Sequence, residues 1–386
     1  MGIAAILVAG GFSTRMKRWK PLLPLAGTTV VEHALAAFGD TEIDERIVVL
    51  GHRADELAPV VQRAGARAVV NPSFDQGMYT SVVAGVQALA PSVRAAFVLP
   101  ADMPAVKRRT VALLARTWQQ TGADVIYPSF SGERGHPPLI SARVFPEILR
   151  GDGRGGLRRV LAAHEGRAIE LNVLDEGVVI DLDTPADYQR AEEICRDRSL
   201  PTVAECEALL TSLRVHRGVV LHGRAVARVA IWLADRLGPP LNARLLEGAA
   251  RLHDLAKGTP DHARSGARLL EGLGYRRVAA LVAVHMDLAV GDTVSLDEAA
   301  LLYLADKLVR GQSLVGIEER FSSAEDKFRG DPAALHAAAR RRAAAYAIAA
   351  EVGRRLGPTW WDTLRHEVQP ATQPDIQPDA EAAIHA

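Results

Sequence analysis

The chain has 386 residues, too many for one ordinary core and enough for about two domains that each bury their own. Its 46 basic and 46 acidic side chains cancel, which removes a bulk electrostatic pull toward nucleic acid or an anionic membrane and leaves small ligands as the expected partners. Cys195 and Cys206 are the only cysteines and no apolar run approaches the roughly 20 residues of a membrane span, which excludes a disulfide framework and a transmembrane helix.

No charged leader with a cleavage site is evident, and Ile6 stands where a myristoylation signal after Met1-Gly2 would need Ser or Thr, so a cytoplasmic protein is expected. The first element is an apolar strand over Ile3 to Val8. It breaks into Gly10-Gly11-Phe12-Ser13-Thr14-Arg15-Met16 and runs on to Lys20. Glycines at a strand's end bare backbone amides that can converge on phosphate oxygens, with Arg15 and Lys20 as countercharge. Neither the P-loop ending nor the dinucleotide spacing is present, so the loop reads either as a nucleotide site of a third kind or as a tight turn.

Further strands are expected at Arg46 to Leu50, Ala68 to Val70, Ala95 to Leu99, Asp124 to Tyr127 and Val178 to Asp181, alternating with helical stretches as far as about Tyr188. That alternation predicts a doubly wound, mostly parallel α/β sheet. Gly10, Gly51, Asn71 and Asp102 fall at carboxyl ends of strands, where such folds bind ligands. Asp102, in Leu99-Pro100-Ala101-Asp102-Met103-Pro104, is either a cap or a magnesium ligand between phosphates. Gly77-Met78 with Ser81 and Gly85 reads as a tight helix entry, for packing or for substrate contact. Gly135-His136-Pro137-Pro138-Leu139 is a stiff segment able to form a base or substrate pocket, Gly151 to Gly156 is a mobile loop with one acid and one base, and either reads equally as a linker. In Asp181-Leu182-Asp183-Thr184-Pro185, Asp183 or Thr184 caps the next helix and metal binding is the alternative role.

Between Ala191 and Pro201 the strands stop, and domains of residues 1–195 and 202–368 are expected, with a disordered proline- and acid-rich tail over 370–386. From Thr202 onward no strand is expected. Helical spacing runs through Glu205 to Leu213, Ala225 to Leu237, Ala243 to Leu255 and Ala299 to Arg310, predicting an all-α bundle. Arg340 to Arg342 reads as a solvated helix face. His222, His253-Asp254 and Asp306 lie on separate helical segments, and imidazole with carboxylate suits zinc, iron, manganese or cobalt better than calcium or magnesium.

The ordered set Ala9, Gly10, Gly11, Ser13, Arg15, Met16, Lys20, Leu22 and Leu23, continued by Asn71, Gly77-Met78, Ser81, Asp102, Gly135-His136-Pro137, Gly151-Asp152 and Asp183-Thr184-Pro185, resembles the MobA and MocA family of molybdenum-cofactor nucleotidyltransferases. The resemblance covers about 190 residues and implies a nucleotide-diphospho-sugar transferase-like fold. It implies transfer of a nucleotidyl group from CTP or GTP to a molybdopterin-type phosphorylated acceptor, with pyrophosphate leaving and a molybdoenzyme or its maturation factor as a further partner. By this likeness Ala9, Gly10, Gly11, Ser13, Arg15, Lys20, Asn71 and Asp102 bind nucleotide. Gly77, Ser81, His136 and Asp152 bind the acceptor, Lys20 acts on the triphosphate, and Asp102 holds Mg2+. Lys17 and Trp19 depart from the family's glycine and proline. Gly135 to Leu139 is closer to the cytidylyl branch, which favours CTP.

The order His222, His253-Asp254, Asp306, spanning about Thr202 to Arg320, resembles the HD-domain metal-dependent phosphohydrolases. The likeness implies one metal on His222, His253, Asp254 and Asp306, and a second on Asp254, His262 and His285, the metals being manganese, iron or zinc. Lys257 is expected to stabilise charge on phosphate, and His216 to be a surface residue. Two alternatives stay open: a sugar phosphate or other phosphorylated alcohol as acceptor, and a non-catalytic chaperone that binds the molybdenum cofactor.

Overall fold

The computed structural model describes residues 2–11, 19–39, 43–291, 293–322 and 330–368. Ser13, Arg15 and Met16 of the opening loop, and the 370–386 segment expected to be disordered, lie outside the described residues. The chain divides into two compact units, Met1–Arg198 and Ser199–Ala386.

In the first unit the opening apolar run forms β1 (Gly2–Ala9), the centre of an eight-stranded sheet. It pairs in parallel with β2 (Glu45–Leu50) and β4 (Val93–Pro100), and β3 (Arg67–Val70) follows β2. Ile3, Ala5 and Leu7 enter one core and Ala4, Ile6 and Val8 the other, which is why a continuous apolar strand is required here. The first core takes α1 (Val30–Ala36), α2 (Ala54–Arg63) and α4 (Arg108–Thr121). The second takes α3 (Met78–Gln87), α5 (Phe145–Arg150) and α6 (Gly156–Ala162). A Cβ on Gly85 would sit 2.5 Å from Ile6 Cγ2, so the small residues expected in α3 do serve its close approach to β1.

The sheet continues through β6 (Leu139–Ser141), antiparallel to both β4 and β5 (Val125–Phe130), and ends on β7 (Ala168–Asn172), parallel to β5, while the two-residue strand Glu133–Arg134 pairs antiparallel with β5 as the eighth. The strand expected at Val178 to Asp181 is corrected: Glu176–Val179 is a 3-10 turn and β7 takes the edge. The reason is Asp175, whose carboxylate accepts from Gly177 N, Lys107 N and Thr110 Oγ1 and ties the segment to the start of α4. The β-branched run is still used, with Val178 fully buried and its carbonyl accepting from His136 N. The unit closes with α7 (Pro185–Arg196), started by the Thr184–Asp187 capping box with Pro185 in its first turn.

The second unit is helical: α8 (Val203–Ser212), α9 (Arg217–Leu237), α10 (Ala243–Leu252), α11 (His262–Gly272), α12 (Arg276–Val284), α13 (Glu298–Lys307), α14 (Ile317–Phe321), α15 (Pro332–Leu356) and α16 (Trp360–Glu367). Three expectations are corrected. α10 stops at Leu252, so His253-Asp254 stands in the turn that follows. α13 stops at Lys307, and Val309–Arg310 pairs antiparallel with Ser313–Leu314 across Gly311, a strand pair allowed by the glycine's φ of 61°. Arg341 is only partly solvated and forks onto both oxygens of Asp287 at 2.7 Å. Among the described residues no helix is long and apolar enough to cross a membrane.

Candidate active sites

At the carboxyl ends of β1 and β4 lies a cavity of about 790 Å3, reached by Ala9, Gly10, Gly11, Lys20, Asp102 and Asp183. Lys20 is buried in a short helical turn, with Nζ 2.9 Å from Asp102 Oδ2 and 2.8 Å from Asp183 Oδ1. Burial pulls the ammonium's pKa down, but the hydrogen bonds to Asp183 and Asp102 outweigh it and hold the pKa above its ordinary value. Asp181 also faces this cavity. Its pKa is raised by burial and by the neighbouring Asp183 and Asp102. Three carboxylates against one lysine leave excess hard oxygen donors, which fits a magnesium ion.

Asn71 is buried and outside this lining; its amide donates to Thr80 Oγ1 and Ser81 Oγ and its carbonyl accepts from Ser73 N, bracing the entry to α3. Ser81, Gly77 and His136 do line the cavity. Asp152 instead stands on an exposed loop, capping Arg154 N. Ser13 and Arg15 lie outside the described residues. A second cavity, also about 790 Å3, shares Met78, Arg134 and His136 with the first and is walled by Tyr79, Tyr127 and Leu157. Arg134 stacks over the Tyr127 ring at 4.7 Å and pairs with Glu165 and Glu170. The pKa of His136 is lowered by the surrounding protein, partly against the pull of Asp102.

The second unit gathers four histidines and two aspartates. A Cβ on Gly223 would lie 2.7 Å from Arg251 O, so α9 meets α10 backbone to backbone and sets His222 beside His253. Three imidazoles spend Nδ1–H on a carbonyl: His222 on Gly311 O at 3.0 Å, His253 on Ala250 O at 2.8 Å and His285 on Val282 O at 2.7 Å. A carbonyl can only accept, so each Nε2 presents a lone pair inward. His222 Nε2 lies 3.1 Å from Asp306 Oδ1 and His262 Nε2 3.2 Å from Asp254 Oδ1. Among the described residues the buried Nε2 atoms of His253, His262 and His285 find no hydrogen-bond partner.

Lone pairs packed against carboxylates repel unless a cation lies between them, so this donor set fits a metal. Two overlapping groups of ligand atoms converge, His222, His253 and Asp306, and His253, Asp254 and His285; they share His253, and His262, expected in the second, is in neither group although it reaches Asp254 Oδ1. Asp254 turns Oδ2 to His253 at 3.5 Å and Oδ1 to His262 and His285 at 3.2 and 3.7 Å, as a bridging carboxylate would. Burial opposes ionisation of Asp254 and Asp306, but the imidazoles with Lys257 and Lys307, each 2.6 Å from its aspartate, hold both pKa values far below the usual range. His253 is raised, because Asp306 and Asp254 outweigh its burial, and His285 is lowered by burial.

Residues 5–168 match the MobA-like NTP transferase domain and residues 219–311 the HD domain. The chain carries a MobA-like NTP transferase domain followed by an HD domain. Over 193 residues it is 28% identical to the molybdenum cofactor cytidylyltransferase of Escherichia coli (strain K12), covering 50% of this chain and 96% of that one. It is 29% identical over 189 residues to nicotine blue oxidoreductase of Paenarthrobacter nicotinovorans, covering 47% and 92%. Among solved structures it is similar to Rv0371c from Mycobacterium tuberculosis H37Rv, at 26% identity and a TM-score of 0.44 over 50% of this chain and 98% of that one. The chain is thus an enzyme of the nucleotidyltransferase type joined to a domain of the metal-dependent phosphohydrolase family.

In the transferase domain the sequence offers Asp183 two roles, helix cap and metal ligand. Thr184 Oγ1 takes that role by accepting from Asp187 N, and Asp183 turns to Lys20. The alternation Asp181-x-Asp183 was the available signal. Arg134 carries none, because Glu165 and Glu170, with which it pairs, are distant in the chain. In the HD domain, His216 is exposed as expected and caps α9 by accepting from Gly218 N.

Proposed function

We propose that the transferase domain moves a cytidylyl group from CTP to the phosphate of a molybdopterin-type acceptor. An acceptor phosphate oxygen bonds to the α-phosphorus as the bond from that phosphorus to the bridging oxygen breaks, and pyrophosphate departs with the electron pair. Gly11 offers open backbone to the triphosphate beside the buried Gly10, and Lys20 countercharges it. Asp102 and Asp183 would hold Mg2+, which when bound neutralises phosphate charge. In the ligand-free chain Lys20 is the counterion that keeps these two carboxylates together.

The observation that carries this reading is the Lys20, Asp102 and Asp183 cluster in a cavity that opens onto a second, aromatic-walled one. Tyr79, Tyr127 and Leu157 suit a flat heterocycle better than a polyhydroxylated sugar. The similarity to a cytidylyltransferase supports CTP. We place His136 and Ser81 toward the acceptor, and Gly77 as the hinge that starts α3 between the two cavities. Asn71 braces that hinge from behind, and Asp152 reaches the acceptor only by a shift of its exposed loop. We further propose a cytoplasmic location, domains over residues 1–195 and 202–368, and delivery of the product to a molybdoenzyme or its maturation factor.

For the HD domain we propose hydrolysis of a phosphoester or phosphoanhydride, with His222, His253, Asp254 and Asp306 holding one ion and Asp254, His262 and His285 the other. Bound manganese, iron or zinc would supply an acidified water and charge neutralisation. Lys257, at Asp254, faces the charge that grows on phosphate.

The deciding experiment incubates the chain with each of the four nucleoside triphosphates, magnesium and molybdopterin, and identifies the product by mass. A cytidylylated pterin with released pyrophosphate is the expected product. Turnover with sugar phosphates alone would replace the acceptor, and nucleotide binding without any product would favour a carrier.

A further inference from the structure

The HD centre has a second feature. A cavity of about 260 Å3 opens onto His222, and its remaining polar side chains are His216, Lys257 and Arg320. Among the described residues no acidic side chain is in its lining, although Lys257 pairs with Asp254 and Arg320 stands near Asp306.

Each of the three groups has donors to spare. Lys257 gives one N–H to Asp254 Oδ2 and keeps half of its side chain exposed. The Arg320 guanidinium stands 3.9 Å from Asp306 Oδ1, close enough to be steered by that carboxylate and too far to be spent on a hydrogen bond. His216 Nδ1 accepts from Gly218 N at 3.1 Å, so a neutral ring carries its proton on Nε2 and can donate from there. Two cations and an imidazole N–H therefore face a cavity with no acid among its described lining residues, beside the histidine cluster.

This arrangement is complementary to a terminal phosphoryl group, whose dianion has three free oxygens to accept from lysine, arginine and imidazole. A diester has two non-bridging oxygens, one charge and a second substituent to house. The cavity is below the roughly 300–1,000 Å3 that encloses a whole small-molecule ligand, so it takes the phosphoryl end and leaves the rest outside. We infer that Arg320 and His216, with Lys257, form a phosphate seat that selects terminal phosphoryl groups for the HD domain.

The inference rests on the phosphohydrolase reading above. In that reaction water oxygen bonds to phosphorus, the bond to the leaving oxygen breaks, the alcohol departs with a proton, and inorganic phosphate is left in the seat. Inorganic phosphate is therefore a direct probe of it.

The test uses the full chain loaded with manganese, titrated calorimetrically with inorganic phosphate and assayed on p-nitrophenyl phosphate and bis(p-nitrophenyl) phosphate. Arg320→Ala should weaken phosphate binding and raise KM for the monoester about tenfold or more, the loss of one charged hydrogen-bonding partner. Arg320→Lys should recover part of this. His216→Asn keeps a helix cap and should weaken phosphate severalfold. Metal content should be unchanged in all three variants. Unchanged phosphate affinity in Arg320→Ala and His216→Asn, with monoester still hydrolysed by the wild type, would overturn the seat and leave the hydrolase reading standing, as would a wild-type preference for the diester. Metal-loaded wild type that neither binds phosphate nor cleaves either ester would remove both.

Discussion

Lys20 Nζ lies 2.8 Å from Asp183 Oδ1 while also reaching Asp102 Oδ2 at 2.9 Å, so one buried ammonium is shared by two carboxylates in the cavity at the carboxyl ends of β1 and β4. Removing a carboxylate that holds magnesium removes transition-state stabilisation, whereas removing the lysine also costs ground-state affinity for the triphosphate. Asp102→Ala and Asp183→Asn should each lower kcat for pyrophosphate release at least about a hundredfold. Lys20→Ala should chiefly raise KM for the nucleotide. Wild-type turnover by Asp102→Ala would sink the assignment.

The same cluster predicts a pH signature. Lys20 has its folded pKa raised above 10.5, so its contribution to stability is complete below that value and is lost as pH climbs through the folded one. Lys20→Met should destabilise the chain by about 2–3 kcal/mol near neutrality, under the range for a fully buried pair because both carboxylates keep some solvent. The gap in Tm between wild type and variant should stay flat from about pH 7 to 9 and shrink only above about 10.5. A gap that already shrinks between about pH 7 and 9 would show that another group carries it.

In the HD domain the inward Nε2 lone pairs predict about two transition-metal ions per chain, measured by elemental analysis after purification without chelator. His262→Ala with His285→Ala should leave about one ion, and Asp254→Ala should empty both positions because its two oxygens face the two groups. Nucleotidyl transfer should persist in Asp254→Ala, whose substitution touches only the helical unit. Metal content near zero that manganese, iron and zinc fail to restore would reduce the cluster to a scaffold.

Gly135 offers a structural test of the wall between the two cavities. A Cβ there would fall 2.3 Å from Val178 O, a backbone atom that cannot swing away, and His136 N donates to that same carbonyl at 2.7 Å. Gly135→Ala should therefore cost about 1–3 kcal/mol in denaturant unfolding and raise KM for the acceptor more than for the nucleotide. An unchanged midpoint would mean that the 176–179 turn yields freely.

The sequence alone determined the alternating apolar segments of the sheet, the helical second half and the order of His222, His253-Asp254 and Asp306. Burial on two faces demands an unbroken apolar strand such as Ile3 to Val8, and a helix repeats its apolar residues at a fixed spacing, so both are written locally. Tertiary structure alone decided that Glu176 to Val179 would be a turn, because Asp175 found its partners at the start of α4, and that Leu139 to Ser141 would be an antiparallel strand, because it pairs with both β4 and β5. It also decided that Asp183 would face Lys20, 163 residues earlier, and that His216, Lys257 and Arg320 would line one cavity. Such convergence depends on where packing brings distant backbone together, as Gly223 does in pressing α9 onto α10, and no local periodicity encodes it.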